Sequence, residues 1–441
     1  MKRAQGAVAV DLGATSARFA AGWLEDSRLR HEIIEQVPHA PRFDGKHLVW
    51  DLDALLGICR RAIGYAGEHF DDATVGIDSW GVDHGFLDSD GNLLGPPVCY
   101  RDPSHELALK SIDSEQARLY QLTGIQRQPF NTICQLVARR TEDPGLPTRA
   151  TWLILPDLLG YLLTGVRGYE LTQASTTQLM GLDQQWCRGA FEVAGWPVPE
   201  LAPVRPGAVM GKVDGVGIVR VGSHDTASAV FGFGDLPSDH AYLNVGTWSI
   251  LGSLLASPLV SEVTEAKNWS NEIAVDGRAR FLKNVPGFYV LNRLHDELGS
   301  GQPMGAWLEA SALSFAGRFD VFDESLYNPA SMPAACAALL SPEPKTEAEW
   351  AGAALGSLVD ALAVQTADLR DLAGDLSLIR VGGGGSQSGA FCQAIADKTG
   401  LRVEAGPAEA TVIGNLAFQF QSRGIDIDLA QAYERKEYRP R

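Results

Sequence analysis

The sequence predicts an α/β protein built from two related domains, and three observations predict it. The first is an apolar strand at residues 7–12 that ends on Asp11-Leu12, turns through Gly13-Ala14-Thr15-Ser16 and returns as a second apolar strand to Trp23. The second is a repeat of that plan about half a chain later. There Asn244-Val245-Gly246-Thr247-Trp248-Ser249 sets polar residue, apolar residue, glycine and a hydroxyl-bearing turn under Asp11-Leu12-Gly13-Ala14-Thr15-Ser16. The third is a pair of strand-to-helix junctions, one at residues 219–229 and one at the four glycines 382–385. Strands that alternate with helical patterns make α/β layers. Asp235-Leu236-Pro237-Ser238-Asp239 reads as the seam, so domains are expected at 1–235 and 236–441.

Composition bounds the function. The chain has 441 residues, 45% hydrophobic and 21% charged, enough for two sizeable cores. It has no apolar run of the roughly 18 residues a membrane span needs, and its N-terminus enters a strand pattern without an apolar leader, so a cytoplasmic protein is expected. The six cysteines are scattered and form no C-x-x-C, which points to reduced thiols and away from a zinc site. A net charge of −17 argues against nucleic acid or an anionic membrane as partner. A polyphosphate could bind only through backbone N–H groups and a metal ion. A monomer or homodimer acting on small molecules is expected.

Taken in order, the first hairpin offers backbone N–H groups and the hydroxyls of Thr15 and Ser16 to an anion. Asp11 at its lip suits a magnesium ion held through water; the other reading is an ordinary surface hairpin. A helix opens at Asp51 or Asp53, with Leu55, Leu56, Ile58, Cys59 and Ile63 on its apolar face. Residues 73–88 read as a strand pair carrying Asp78, Trp80 and Gly81 in its middle, closed by a turn at 88–92. Glycine in such a pattern marks close approach of a ligand, and Trp80 is either a platform for a sugar or plain core. A helix is expected from Trp152 to about Thr164, then a small polar segment at 169–177 whose hydroxyls read as caps. At the junction Val219-Arg220-Val221-Gly222-Ser223-His224-Asp225-Thr226, Asp225 is either a general base at the carboxyl end of a strand or the N-cap of the following helix.

Beyond the repeated hairpin, residues 282–287 lead into a helix through Tyr289, Leu291 and Leu294. A long helix is expected over 347–372. The glycine run between strand and helix lets backbone lie against a flat ligand such as a purine with its ribose. It is neither G-x-G-x-x-G nor a P-loop. The chain closes with a turn and small-residue helix at 405–415 suited to tight packing.

These pieces make an actin-like phosphotransfer plan, and the ordered motifs carry a more specific likeness. Val10-Asp11-Leu12-Gly13-Ala14, Gly76-Ile77-Asp78 with Trp80-Gly81-Val82-Asp83, Tyr100-Arg101-Asp102, Phe130-Asn131-Thr132, Thr176-Thr177-Gln178-Leu179, His224-Asp225-Thr226-Ala227-Ser228-Ala229, Gly246-Thr247-Trp248-Ser249, Leu282-Lys283-Asn284, Gly383-Gly384-Gly385 and Ala405-Gly406-Pro407 span nearly the whole chain. In this set the chain resembles the FGGY carbohydrate kinases, and within them the branch acting on L-rhamnulose. The resemblance implies two actin-like (ribonuclease H-like) ATPase domains with an interdomain cleft. It implies transfer of the γ-phosphoryl group of ATP, with Mg²⁺, to the 1-hydroxyl of a ketose. It makes Asp225 the base and places Trp80, Gly81, Asp83, His224, Thr226 and Asn284 at the sugar. Gly13, Ala14, Thr15, Ser16, Ala17, Arg18, Thr247, Asn292, Gly384 and Gly385 fall to the nucleotide, and Asp11 to the metal. Ala17 stands where that branch has glycine and Asn292 where it has glutamine. The alternatives are another ketose or polyol (L-fuculose, xylulose, ribulose) or a non-catalytic sugar or ATP sensor of the same fold.

Overall fold

The computed structural model describes residues 2–299, 301–311, 313–327 and 329–441. The chain divides into two compact units. One comprises Met1–Gly234, Ala256–Phe281 and Thr411–Ala432; the other Asp235–Leu255, Leu282–Ala410 and Tyr433–Arg441.

The first unit is organised on β1 (Arg3–Leu12), whose apolar run is buried on both faces as a central strand requires. It pairs antiparallel with β2 (Ser16–Glu25), the expected hairpin, in a register that sets Leu12 opposite Ala17. β3 (Arg28–Pro38) extends that edge. Two short strands, β4 (Arg42–Phe43) and β5 (Leu48–Val49), precede β6 (Phe70–Ser79), which lies parallel to β1. β7 (His84–Leu87) and β8 (Thr151–Ile154) form a separate antiparallel pair. β9 (Val209–Val213) and β10 (Val216–Val219) complete the main sheet, in the order β3-β2-β1-β6-β10-β9. The helix Leu52–His69 caps itself on Asp51, whose carboxylate accepts from Ala54 N at 3.0 Å. It buries the predicted face of Leu55, Leu56, Ile58, Cys59 and Ile63.

Three local expectations are corrected. Residues 73–88 are not a strand pair, because β6 and β7 join different sheets and Trp80-Gly81-Val82-Asp83 is the link between them. The helix expected from Trp152 starts at Leu155: Thr151–Ile154 extends as β8 against β7, and Pro156 fits only the first helical turn. The strand before the Asp225 junction ends at Val219, earlier than its apolar pattern implied.

The helix Ala410–Ser422 is bound to the first unit's sheet by buried amides. Gln419 donates to Val8 O at 3.0 Å and accepts from Thr74 Oγ1 at 2.7 Å, while Asn415 donates to Gly76 O and to Asp78 Oδ2. A Cβ on Gly414 would stand 1.8 Å from Ser228 O, so only glycine lets this helix approach the helix Asp225–Gly232. That is the tight packing expected of its small residues.

In the second unit β11 (His240–Val245) and β12 (Trp248–Leu255) form the repeated hairpin. The hairpin β13 (Ser270–Ile273) and β14 (Ala279–Pro286) follows, residues 256–281 belonging to the first unit. β15 (Leu378–Gly382) runs parallel to β11, β16 (Arg402–Ala405) parallel to β15, and β17 (Lys436–Tyr438) antiparallel to β16. Thus β12-β11-β15-β16 repeats the order and sense of β2-β1-β6-β10. The short sequence repeat is a repeat of topology. The long helix Glu347–Ala373 begins at a capping box of Thr346 and Glu349. No helix among the described residues is long and apolar enough to cross a membrane.

Candidate functional site

Three parallel strands of the first unit deliver polar residues to one edge of the sheet, where ligands of open α/β sheets bind. β1 reaches Asp11 and β6 reaches Asp78, register partners on adjacent strands. Beyond β10 the chain bridges back to Ser79 through His224, and Asp225 opens the next helix.

Asp225 is the first helical residue, and His224, with φ −82° and ψ 120°, is the N-cap. Asp225 Oδ1 accepts from Thr226 N at 2.5 Å and Thr226 Oγ1 at 3.1 Å, and lies 3.5 Å from His224 Nε2. Its Oδ2 makes no hydrogen bond among the described residues, and the side chain is 26% exposed. Burial holds this carboxyl above its ordinary range, opposed by His224 and reinforced by Asp11. Asp78 is fully buried, its Oδ1 without a partner among the described residues, and burial followed by the charge of Asp11 keeps it well above the usual carboxylate range.

The segment 169–177, legible only as helix caps, locks this junction. Buried Glu170 receives Ser223 N at 3.1 Å, Ser223 Oγ at 2.7 Å, Thr172 N at 2.9 Å, Thr172 Oγ1 at 2.5 Å and Gln173 N at 3.2 Å. Thr172 Oγ1 in turn accepts from His224 N at 3.1 Å. Gln173 Nε2 ties the same edge together through Ser79 O, Trp80 O and Ser223 O.

Gly81 borders His224: a Cβ on it would lie 3.3 Å from the Nε2. Trp80 is buried, stacked on His39 and packed against Trp50 at 4.3 Å between ring centroids. Asp83 lies behind it with both oxygens taken. Oδ2 accepts from Trp50 Nε1 (2.6 Å), Trp80 Nε1 (2.8 Å) and Tyr100 N (3.2 Å); Oδ1 accepts from Gln135 Nε2 (3.1 Å). Burial pushes Asp83 up to about 6 against these donors. Between them Val82 has φ +72°, and Asp83 N donates to Gly81 O at 3.0 Å, which makes a γ-turn. A β-branched residue there is strained by on the order of 1–3 kcal/mol. Thr176, Thr132 and Gln135 hold it through hydrogen bonds to the Val82 backbone.

In the first hairpin Arg18 clamps Asp11 Oδ2 through Nε (2.9 Å) and Nη2 (2.7 Å). His39 takes the carbonyls of Gly13 and Thr15. Thr15 is exposed, Gly13, Ala14 and Ser16 partly so, and Ala17 turns its methyl into the core. The carboxylates of Asp11, Asp78 and Asp225 are hard donors whose mutual repulsion a divalent cation would relieve. No group of three or more His, Cys, Asp and Glu encloses an ion among the described residues.

The second unit carries the other expected residues. Thr247, partly exposed, sits at the β11–β12 turn, and its carbonyl accepts from Gly287 N and Tyr289 N at 3.2 Å each. Asn284 is half-buried on β14 and Asn292 is exposed on the helix Tyr289–Leu298. Gly383 has φ +71°, and a Cβ on it would meet Val245 O at 2.6 Å. Gly385 packs equally closely on the Val245 side chain, while a Cβ on Gly384 would face open space. The glycine run therefore seats β15 on the hairpin and leaves Gly384 bare. The sequence-proposed residues thus fall into two groups. Asp11, the first turn, Trp80, Gly81, Asp83 and His224-Asp225-Thr226 lie in the first unit; Thr247, Asn284, Asn292, Gly384 and Gly385 lie in the second. Sequence reasoning noted Asp78 but gave it no role, although it lies near the end of an apolar strand as Asp11 does, and passed over Glu170, whose neighbours looked like caps.

Residues 7–235 match the family described as FGGY family of carbohydrate kinases, N-terminal domain, and residues 241–422 match its C-terminal domain. A rhamnulokinase from Pectobacterium carotovorum subsp. carotovorum (strain PC1) is 37% identical over 448 residues, covering 96% of this chain and 89% of its own. Among solved structures, a ligand-bound xylulose kinase from Lactobacillus acidophilus superposes with a TM-score of 0.82 at 16% identity, over 99% of this chain and 94% of its own. A Plasmodium falciparum glycerol kinase with ADP gives 0.80 at 13% identity, over 100% and 95%. The fold is accordingly that of the actin-like ATPases.

Proposed function

Because this chain belongs to the FGGY family of carbohydrate kinases and is an ATP-dependent sugar kinase, we propose that its acceptor is the 1-hydroxyl of L-rhamnulose and that Asp225 is the general base. The observation that carries the reading is the asymmetry of the Asp225 carboxylate. Oδ1 is engaged by Thr226 and faced by His224, whereas Oδ2 has no partner among the described residues and the side chain is a quarter exposed. A base must bring one oxygen within roughly 2.6–3.2 Å of the hydroxyl proton it takes. Oδ2 meets that requirement without breaking an existing bond. As the sugar oxygen attacks the γ-phosphorus, its proton passes to Oδ2 and the bond to the β-phosphate oxygen breaks. Positioning and charge neutralisation dominate such transfers.

Gly81, His224 and Thr226 form the sugar-facing surface in the first unit, and Trp80 and Asp83 hold Gly81 from behind. Asn284 offers a donor and an acceptor to sugar hydroxyls. Thr247 with Gly384 and Gly385 takes the nucleotide, as do the backbone N–H groups of the turn 13–18. Asp11 is the proposed Mg²⁺ carboxylate; when bound, the ion would offset phosphate charge. The identity to a rhamnulokinase supports the choice of sugar. A coupled ADP-release screen across ketoses and polyols tests it: L-rhamnulose should show the highest kcat/KM, with phosphate on oxygen 1 by ³¹P NMR. Preference for L-fuculose, xylulose or ribulose by tenfold or more, about 1.4 kcal/mol, would overturn the sugar and leave the kinase standing.

A further inference from the structure

The imidazole of His224 has one nitrogen toward Asp225 and the other on a buried ion pair. Arg280 on β14 places Nη2 2.5 Å from Glu272 Oε2 and 2.8 Å from His224 Nδ1. Glu272 on β13 sets the same Oε2 3.2 Å from that Nδ1. The hairpin carrying them is fixed: Asn271 N donates to Gly124 O at 2.9 Å, Ile273 N to Ser175 Oγ at 3.0 Å, and Val275 fills the space that a side chain on Gly222 would need.

This pair is a poor source of stability. Arg280 is 0% exposed, and its Nη1 has no partner among the described residues. Desolvating two charges costs about as much as their attraction returns, and an unsatisfied buried donor adds to the cost. What the pair can do, and an apolar pair cannot, is decide where the imidazole carries its proton. Guanidinium only donates. Two groups compete for Nδ1: the Glu272 carboxylate, at 3.2 Å, would accept a hydrogen from it, whereas the Arg280 N–H, closer at 2.8 Å, needs a lone pair there; the closer contact puts the hydrogen of the neutral ring on Nε2. That nitrogen faces Asp225 Oδ1 at 3.5 Å and borders Gly81.

We propose that Arg280, held in place by Glu272, sets the tautomer of His224, keeping it as an Nε2–H donor toward Asp225 and the sugar, so that Oδ1 stays engaged and Oδ2 is the oxygen that takes the proton. Both are positioning residues that act through His224. The catalytic part of this inference rests on the reading of Asp225 as base. With the hydrogen on Nδ1 instead, Nε2 would turn a lone pair on the carboxylate and disfavour its charged form. The charged groups facing the ring are Asp225, Glu272 and Arg280.

The test uses the full chain labelled with ¹⁵N-histidine, two-bond ¹H–¹⁵N correlations, and His224→Gln to assign the resonance. Wild type should show His224 as the Nε2–H tautomer; an Nδ1–H tautomer in wild type overturns the proposal whatever the variants do. The double variant Glu272→Gln/Arg280→Gln keeps two amides in place without fixing donor and acceptor. It should populate the Nδ1–H form and lose at least about tenfold in kcat, a modest fraction of the roughly 10⁴-fold that a wrong tautomer costs where histidine is itself the base. Its KM for ATP should stay within about twofold, and the acid limb of kcat/KM should move to higher pH. A fall in kcat with tautomer and pH profile unchanged would mean a structural role only and would also overturn it. Should wild type phosphorylate no sugar, the functional reading fails separately, and the tautomer still decides this one.

Discussion

Thr226 donates both its backbone N–H and its hydroxyl to one oxygen of Asp225, Oδ1, at 2.5 and 3.1 Å. The two oxygens of that carboxylate are therefore unequal before any substrate arrives. Thr226→Val keeps the shape and removes one donor, and a hydrogen bond to a charged group contributes about 1.5–3 kcal/mol. We expect kcat to fall about tenfold to a hundredfold with little change in KM for ATP, and Thr226→Ser to restore most of it. Steady-state kinetics on the three proteins checks this; equal kcat values would show that the bond does not bear on the reaction.

Asp83 gives a prediction in pH. Burial raises it from an ordinary 3.8 to about 6. A carboxyl raised in the folded state binds its proton more tightly folded than unfolded. The stability it contributes is therefore present below 3.8 and is lost as pH rises through about 6. The difference corresponds to about 3 kcal/mol. Asp83→Asn has no such titration, and its amide would face the Gln135 amide donor, so it should be less stable than wild type throughout. The gap should be wider near pH 4.5 than near pH 7. Denaturant unfolding at the two values measures it, and a gap that widens toward pH 7 would contradict the assignment.

The glycine run separates two roles. Gly383→Ala places a methyl 2.6 Å from Val245 O at a positive φ, so it should lower Tm and raise KM for ATP together. Gly384→Ala meets nothing within 4 Å, so its Tm should match wild type while KM for ATP rises severalfold. Thermal melts with ATP titration test the pair; a Gly384→Ala protein with unaltered ATP kinetics would remove Gly384 from the nucleotide surface.

Much of the fold was legible, for identifiable reasons. The hairpin 7–23 and its repeat at 241–252 are apolar strands on either side of short polar turns, and both stand as read. The long helix shows its N-terminus in Thr346 and Glu349. What failed was partner choice. Residues 73–88 look like a hairpin because adjacent strands usually pair, but β6 takes β1 and β10 as neighbours, leaving Trp80–Asp83 as a strained link that no local pattern announces. In the site, Asp225 could be singled out as an acid at a strand–helix junction, where it reads as a base or an N-cap, and the structure gives the cap to His224. Glu170, Glu272 and Arg280 could not, because buried charge is recognised by what surrounds it. Their partners lie 53 or more residues away for Glu170–Ser223 and His224–Arg280.

As proposed, Asp225 takes the proton of the acceptor hydroxyl. The most direct measurement is kcat of Asp225→Asn with the ketose that wild type prefers, alongside ATP affinity by calorimetry. General-base groups contribute about 10²–10⁴-fold, so kcat should fall within that range with ATP affinity near wild type. A variant that binds ATP normally and keeps more than about a tenth of wild-type kcat would contradict it.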